Sequence, residues 1–423
     1  MTKRTGLPLL LLTLAALGFQ GCLKDNCQEV ITYYNQIPVY KTLEEIRQDI
    51  TVEPARDLEK PGKIYFYNNY VFINESRAGI HVIDNTDPKN PEQVAFIGIP
   101  GNVDMAVQGN ILYADNYIDL LAIDISNPAS PSLSGRAENV FMPVWYDETT
   151  KKYCVYYDYV ETTQTTDCQN VTRNGSEVFI DGGFVGFDNV GAVSNEQSGG
   201  TGIGGSMARF TLSNGHLYTV DDYNLRVFSL AQPLQPVLVN TMSMGWGIET
   251  IFPYQNYLFI GSTTGMYVYD NSSPAAPGYV SQLAHANSCD PVFVSGNYAY
   301  VTLRDGTFCQ GFDNQLDLVN ISNISSPYVE KTFAMEHPHG LSIDDNTLFL
   351  CEGEHGLKVF DVSEPLKLDK NRLDYVRNID AYDVISVPGQ DDVLLLIGKD
   401  GFYQYKASDP KNLKLLSKIP VKS

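Results

Sequence analysis

Leu121-Ala122-Ile123-Asp124-Ile125-Ser126-Asn127-Pro128, with a second proline at Pro131, is the phrase on which the fold turns. A strand-forming run meets an Asn-Pro pair, where proline fixes φ and removes a backbone donor, so pairing ends cleanly. The phrase returns at 79–88 with Pro91, at 225–233 with Pro236, and at 266–270 running to Pro274 and Pro277. It returns again at 316–322, where Ile324 stands for the first proline and Pro327 keeps the second. Two last copies, 357–363 and 402–405, reach Pro365 and Pro410. The first-proline positions are therefore 88, 128, 233, 274, 324, 365 and 410, in steps of 40, 105, 41, 50, 41 and 45 residues.

A period of roughly 40–45 residues with several short strands per repeat is the signature of a β-propeller. The step of 105 holds one repeat plus an insertion, since no further copy of the phrase lies inside it. Each unit reads as four strands. In the second unit these are 104–107, 111–114, 120–125 and 132–137, with Gly109-Asn110 turning the first hairpin as Gly296-Asn297 does in the fifth. The apolar runs are nearly continuous, as expected of strands covered on both faces by neighbouring blades. One such unit cannot bury both faces alone, whereas seven in a ring can. The expected fold is all-β: a seven-bladed propeller of four-stranded antiparallel blades over 61–423, with 141–206 as a flap inserted between blades two and three.

Composition agrees. The 423 residues include 27 Tyr, 19 Phe, 34 Gly and 22 Pro, a turn-rich β composition, and 43% are hydrophobic, enough for a sizeable core. With 50 acidic against 29 basic residues the formal charge is −21, which repels phosphate backbones and argues against nucleic acid as a partner.

The N-terminus sets the compartment. Lys3 and Arg4 precede an apolar stretch, 7–19, of the length of a signal h-region, and it ends at Gly21-Cys22. This resembles a bacterial lipoprotein processing site, with 1–21 removed and Cys22 lipidated. The chain is then expected in the cell envelope, at the outer membrane or cell surface, touching the membrane through its lipid anchor only. Residues 22–60 form a tether. Val30 to Tyr34 is strand-like, and Thr42-Leu43-Glu44-Glu45 is a capping box opening a short helix. The segment is read as a clasp packed on the propeller, against the alternative of a flexible stalk.

With these residues in view, the repeated phrases resemble the LVIVD repeat of bacterial and archaeal cell-surface proteins. The Gly62-Lys63-Ile64-Tyr65 opening and the lipidated start are similar to the lipoprotein members of that family. The resemblance implies a propeller and a surface location. It implies no chemistry.

Candidate sites gather on the face formed by the fourth-to-first and second-to-third strand connections, the usual binding face of the architecture. The flap carries Trp145, Tyr146, Tyr153, Tyr156, Tyr157 and Tyr159, which suit ligand or protein contact, or else bury one another. Cys154 and Cys168 could staple it. Cys289 and Cys309 lie in two connections on the same face of blade five, and a disulfide is expected there; Cys351, in a strand, reads as a buried thiol. Asp104, Glu249, Asp290, His339 and Asp383 stand at first-strand entrances. They would ring the channel mouth, either as a Ca²⁺ or other divalent-cation site or as a solvated acidic rim. No nucleophile elbow, phosphate loop or zinc spacing occurs in the sequence. The expected function is a surface-anchored module binding an extracellular or envelope protein or a glycan. The alternative is an extracellular hydrolase or lyase using a cation at the channel mouth.

Overall fold

A computed structural model describes residues 28–167, 203–284, 291–304, 314–387 and 392–422. The lipoprotein signal with Cys22, and Cys168, Cys289, Asp290 and Cys309, lie outside these residues. Among the described residues, seven sheets contain a four-stranded antiparallel meander in chain order, spanning 61–98, 105–137, 210–243, 248–284, 292–334, 341–376 and 381–420. They are blades 1 to 7 below. In blade 2 the strands are Met105–Gln108, Ile111–Asn116, Asp119–Asp124 and Ser132–Ala137.

First strands of successive blades touch, and the first strand of blade 7 touches that of blade 1, so the sheets close on themselves as a β-propeller. The core lies between blades, where both faces of the inner strands are covered. Val71, Phe72, Leu112, Tyr113, Phe259, Leu395 and Leu396 are among the side chains with no exposed surface. Removing such area from water is the main favourable term holding the ring.

The repeated phrase has a mechanical role. Its acidic or amide residue accepts from a backbone N–H two residues on: Asp84 from Thr86, Asp124 from Ser126, Asp270 from Ser272, Asn320 from Ser322 and Asp361 from Ser363. The turn is thereby fixed by its own side chain. The carbonyl at the first-proline position then accepts from the preceding blade. Tyr113 Oη donates to Pro233 O at 3.0 Å, Tyr218 Oη to Pro274 O at 2.9 Å and Ser281 Oγ to Ile324 O at 2.6 Å. Ser417 Oγ of blade 7 donates to Pro88 O of blade 1 at 2.7 Å, so the seam where the ring closes uses the same bond. Proline suits this place because it has no N–H to satisfy while its carbonyl points to the neighbour.

Residues 38–60 of the tether pack on the ring. Thr42 caps the helix Leu43–Ile46 with the reciprocal Glu45 bond. Thr51–Glu53 pairs with the outermost strand of blade 1. Arg47 reaches Asp119 at 3.0 Å and Glu138 at 2.7 Å, and Leu58 bridges Val421 beside the last strand of blade 7. Residues 28–37 and 159–167 belong to a separate compact unit, in which Asn35 Nδ2 donates to Thr162 Oγ1 at 2.9 Å.

No helix among the described residues is long and apolar enough to cross a membrane.

Candidate functional site

The channel comes first, because the sequence pointed to its mouth. After the flap the chain re-enters the ring. Ile203–Gly204 pairs with Phe66 and Tyr65 on the inner side of blade 1's first strand, as an added innermost strand. Ser206, Met207 and Ala208 are buried. Ser206 Oγ accepts from Leu341 N of blade 6 at 2.6 Å and donates to Asp383 Oδ1 of blade 7 at 3.4 Å. Ala208 O accepts from Ile251 N of blade 4 at 2.8 Å. Asp104 Oδ2 of blade 2 accepts from Arg209 N and Phe210 N at 2.7 and 2.9 Å. Residues 203–210 thus cross the interior of the ring, bonded to blades 1, 2, 4, 6 and 7, and the chain itself occupies the channel at this level.

This changes the meaning of the entrance residues. Asp104 is buried and paired with buried Lys63, Nζ to Oδ2 at 2.9 Å. Asp383 is fully buried between Gly205 and Gly340, its Oδ2 without a hydrogen-bond partner, and burial pushes its carboxyl well above the usual range. His339 accepts at Nδ1 from Arg304 Nη1 at 2.8 Å. A guanidinium only donates, so Nε2 carries the ring proton and points it at His337 Nδ1, 3.2 Å away. Burial, Arg304 and His337 hold this imidazole neutral. Glu249 is half-buried. Among the described residues no group of three or more His, Cys, Asp or Glu is placed to hold a metal ion. Asp104 and Asp383 are buried and so are not a solvated rim. Asp104 Oδ2 is taken up by Lys63 and by the returning segment, whereas Asp383 meets that segment through Oδ1 alone.

Asp115 sits behind Asp104. Its Oδ1 accepts from Val103 N, Asp104 N and Asn102 Nδ2 at 2.8, 2.9 and 2.8 Å. Burial nevertheless pushes this carboxyl up to about 6, with Asp104 adding to the shift and the N–H groups and Lys63 opposing it. The folded chain binds this proton more tightly than the unfolded one. The contribution is thus fully present below about pH 4 and is lost as pH rises through the folded value, a decline of about 2–3 kcal/mol. Urea unfolding followed from pH 4 to pH 7 should show that slope, and Asp115→Asn should flatten it. An equally steep slope in the variant would assign the proton elsewhere.

The flap is a hairpin, Trp145–Asp147 against Lys152–Asp167, with Trp145 opposite Cys154 and Tyr146 opposite Tyr153. Asp147 fixes its turn by accepting from Thr149 N and Thr150 Oγ1. The aromatics divide by role. Tyr153 packs against Tyr146 with tilted rings at 4.7 Å, and Tyr40 meets Trp145 edge-on at 5.5 Å. Tyr156 packs down between Arg77, 3.9 Å from its ring, and Tyr117 at 6.3 Å. Tyr157 and Tyr159 are half-buried. Trp145 stays 43% exposed, with Tyr146, Val144 and Met142 exposed beside it. Cys154 is a free, buried thiol whose Sγ faces Tyr156 O at 3.7 Å, so the staple expected from Cys154 to Cys168 is not formed. Its side chain is used in packing beneath the hairpin instead. Cys351 is also free and buried, its thiol pushed up by burial and by Asp383 and Glu352.

Two exposed aromatics on the same face escaped the sequence reading. Tyr223 lies in the second-to-third strand turn of blade 3, and Trp246 in the connection to blade 4, where it is 56% exposed. The two connections are joined: Met244 N donates to Tyr223 O, and Gly247 N to Asp222 O. The signal was Gly245-Trp246-Gly247. Both glycines have left-handed φ, +100° and +82°, and lift the indole away from the sheet. The chain has two tryptophans, and both are exposed on the loop face of blades 2 to 4.

A family model described as the LVIVD repeat matches residues 101–138 and 287–334. The chain carries LVIVD repeats. The first LVIVD match covers blade 2, and the second covers blade 5 with the connection before it. Among solved structures the LVIVD chain is similar to the periplasmic gluconolactonase of Pseudomonas aeruginosa, at TM-score 0.54 and 10% identity over 85% of this chain and 97% of that one. It is also similar to a protein from Lactobacillus plantarum, at TM-score 0.53 and 13% identity over 85% and 97%. A third likeness is to the computationally designed Ika8 protein, at 0.50 and 10% over 88% and 90%. At such identities the likeness is one of fold. No curated protein matches the chain by sequence.

Proposed function

We propose that this propeller is a binding module that engages a partner protein through its loop face. One observation carries the reading. The channel is closed by residues 203–210, while both tryptophans and their apolar neighbours Met142, Val144 and Tyr223 stand exposed on one face. Large exposed aromatics on one face are what protein interfaces use as anchors, and a channel occupied by the chain favours contact at the face over a ligand held on the axis. Anchorage by a lipid at Cys22 in the cell envelope is part of the same proposal, supported by Lys3, Arg4, the apolar run 7–19 and Gly21-Cys22. Cys22→Ser should move the chain to the aqueous phase in a detergent partition.

The binding reading is tested by capture from the native envelope with immobilised wild type against Trp145→Ala/Trp246→Ala. Leu415→Ser, on the outer strand of blade 7, is the control. Specific capture should fall at least about tenfold in the double variant, as expected for two truncated anchors, and be kept in the control. Equal capture by all three would remove the loop face from the proposal. Deleting the whole flap would not test it, because 203–206 belong to the closed channel.

A further inference from the structure

We infer that Arg77 and Tyr117 are positioning residues: by clamping Tyr156 they hold the flap hairpin so that Trp145 and Tyr146 are presented in one fixed orientation. The inference rests on the binding reading above for its purpose, though not for its test.

The seat is built into the ring. Arg77 and Tyr117 occupy the second-to-third strand turns of blades 1 and 2, and both adopt left-handed backbone, φ +57° and +56°. Side chains rarely take that conformation, which costs about 1–2 kcal/mol for an L residue, so each turn is held by its surroundings. Arg77 N donates to Asn102 O and Gly101 N donates to Arg77 O, both at 2.9 Å, which ties the blade 1 turn to the connection entering blade 2. The Tyr117 ring lies against Gly101, where a Cβ would come within 2.3 Å of it. The Tyr156 ring then sits parallel to Tyr117, 9° between planes, with the Arg77 guanidinium carbon 3.9 Å from its centroid.

Tyr156 is two residues beyond Cys154, the cross-strand partner of Trp145. The hairpin has a separate fastening at its root: Phe141 packs on Phe210 and Phe228, and Phe141 N donates to Ile118 O at 2.9 Å. Its long strand Lys152–Asp167 is also paired with the strand Gln28–Lys41. The Tyr156 contact adds to these the direct tie from the hairpin to the turns of blades 1 and 2.

The chain provides its own reporter. In a Trp246→Phe background Trp145 is the single indole. Arg77→Met, which keeps the length and removes the charge, should shift the docked-to-undocked ratio of the hairpin about 3- to 30-fold. Trp145 anisotropy should fall and its quenching by acrylamide rise, with the urea midpoint of the ring unchanged. Tyr156→Ala should do the same. Tyr156→Phe, which keeps the ring, should leave Trp145 as in the parent. Unchanged anisotropy and quenching in both Arg77→Met and Tyr156→Ala, with the ring folded, would overturn the inference. So would a loss equally large in Tyr156→Phe. The two readings fail separately: a mobilised Trp145 with undiminished envelope capture sinks the binding reading and leaves the clamp standing.

Discussion

Lys63→Met should lower the folding stability of the propeller by about 3–5 kcal/mol, the usual cost of stripping one partner from a buried ion pair. Lys63 and Asp104 are 1% and 3% exposed, so neither charge is bathed by water. Methionine fills the space of the lysine stem but leaves the Asp104 carboxylate without its ammonium. The same carboxylate receives the N–H groups of Arg209 and Phe210, so the damage extends to the point where the chain leaves the channel and starts blade 3. Urea unfolding measures the loss. Lys63→Met/Asp104→Asn should recover part of it, because the orphaned charge is gone. A single variant within about 1 kcal/mol of wild type would show that the pair is not buried as described.

Gly205→Ala is the second large effect. A Cβ there would lie 1.7 Å from Asp383 Oδ2, and Asp383 has little room to retreat, because Gly340 packs so closely on its other side that a Cβ at that glycine too would come within 2.0 Å of Oδ1. Overpacking a filled interior costs about 1–3 kcal/mol, and more where neighbours cannot give. The loss should show as a lower thermal midpoint. Gly109→Ala is the comparison: nothing lies within 4 Å of its Cβ, and only the φ of +58° opposes the change. If steric contact with Asp383 is the cause, Asp383→Ala should relieve much of the Gly205→Ala defect while leaving Gly109→Ala untouched. Equal costs at the two glycines would show that Asp383 yields to the added methyl, since only Gly109 has a left-handed φ to oppose the change.

The blades were legible because their signal is local and repeated. Asn127-Pro128 and its six counterparts end third strands, and Gly109 and Gly296, both at φ +58°, turn first hairpins as expected. The closed channel was not legible. Ile203–Gly204 pairs with Phe66 and Tyr65, far away in sequence, whereas the sequence reading placed it within the flap 141–206. No periodicity marks a two-residue strand whose partner is chosen by tertiary position. Asp104 and Asp383 were placed correctly at strand entrances but given the wrong environment, since Lys63 and the N–H donors that occupy Asp104 come from elsewhere in the chain. Tyr156 and Trp145 looked alike as loop aromatics. Only the seat at Arg77 and Tyr117 separates the one that fastens from the one that faces out.

The bond from Ser417 to Pro88, with Gln404 Nε2 to Asn85 Oδ1 and Lys422 N to Leu58 O, joins blade 7 to blade 1 and to the segment before it. That seam cannot exist until residues 404–422 have been made. A nascent chain therefore carries its first blades with one flank uncovered throughout synthesis. The ring locks only in the final stage, and until then the polypeptide stays pliable.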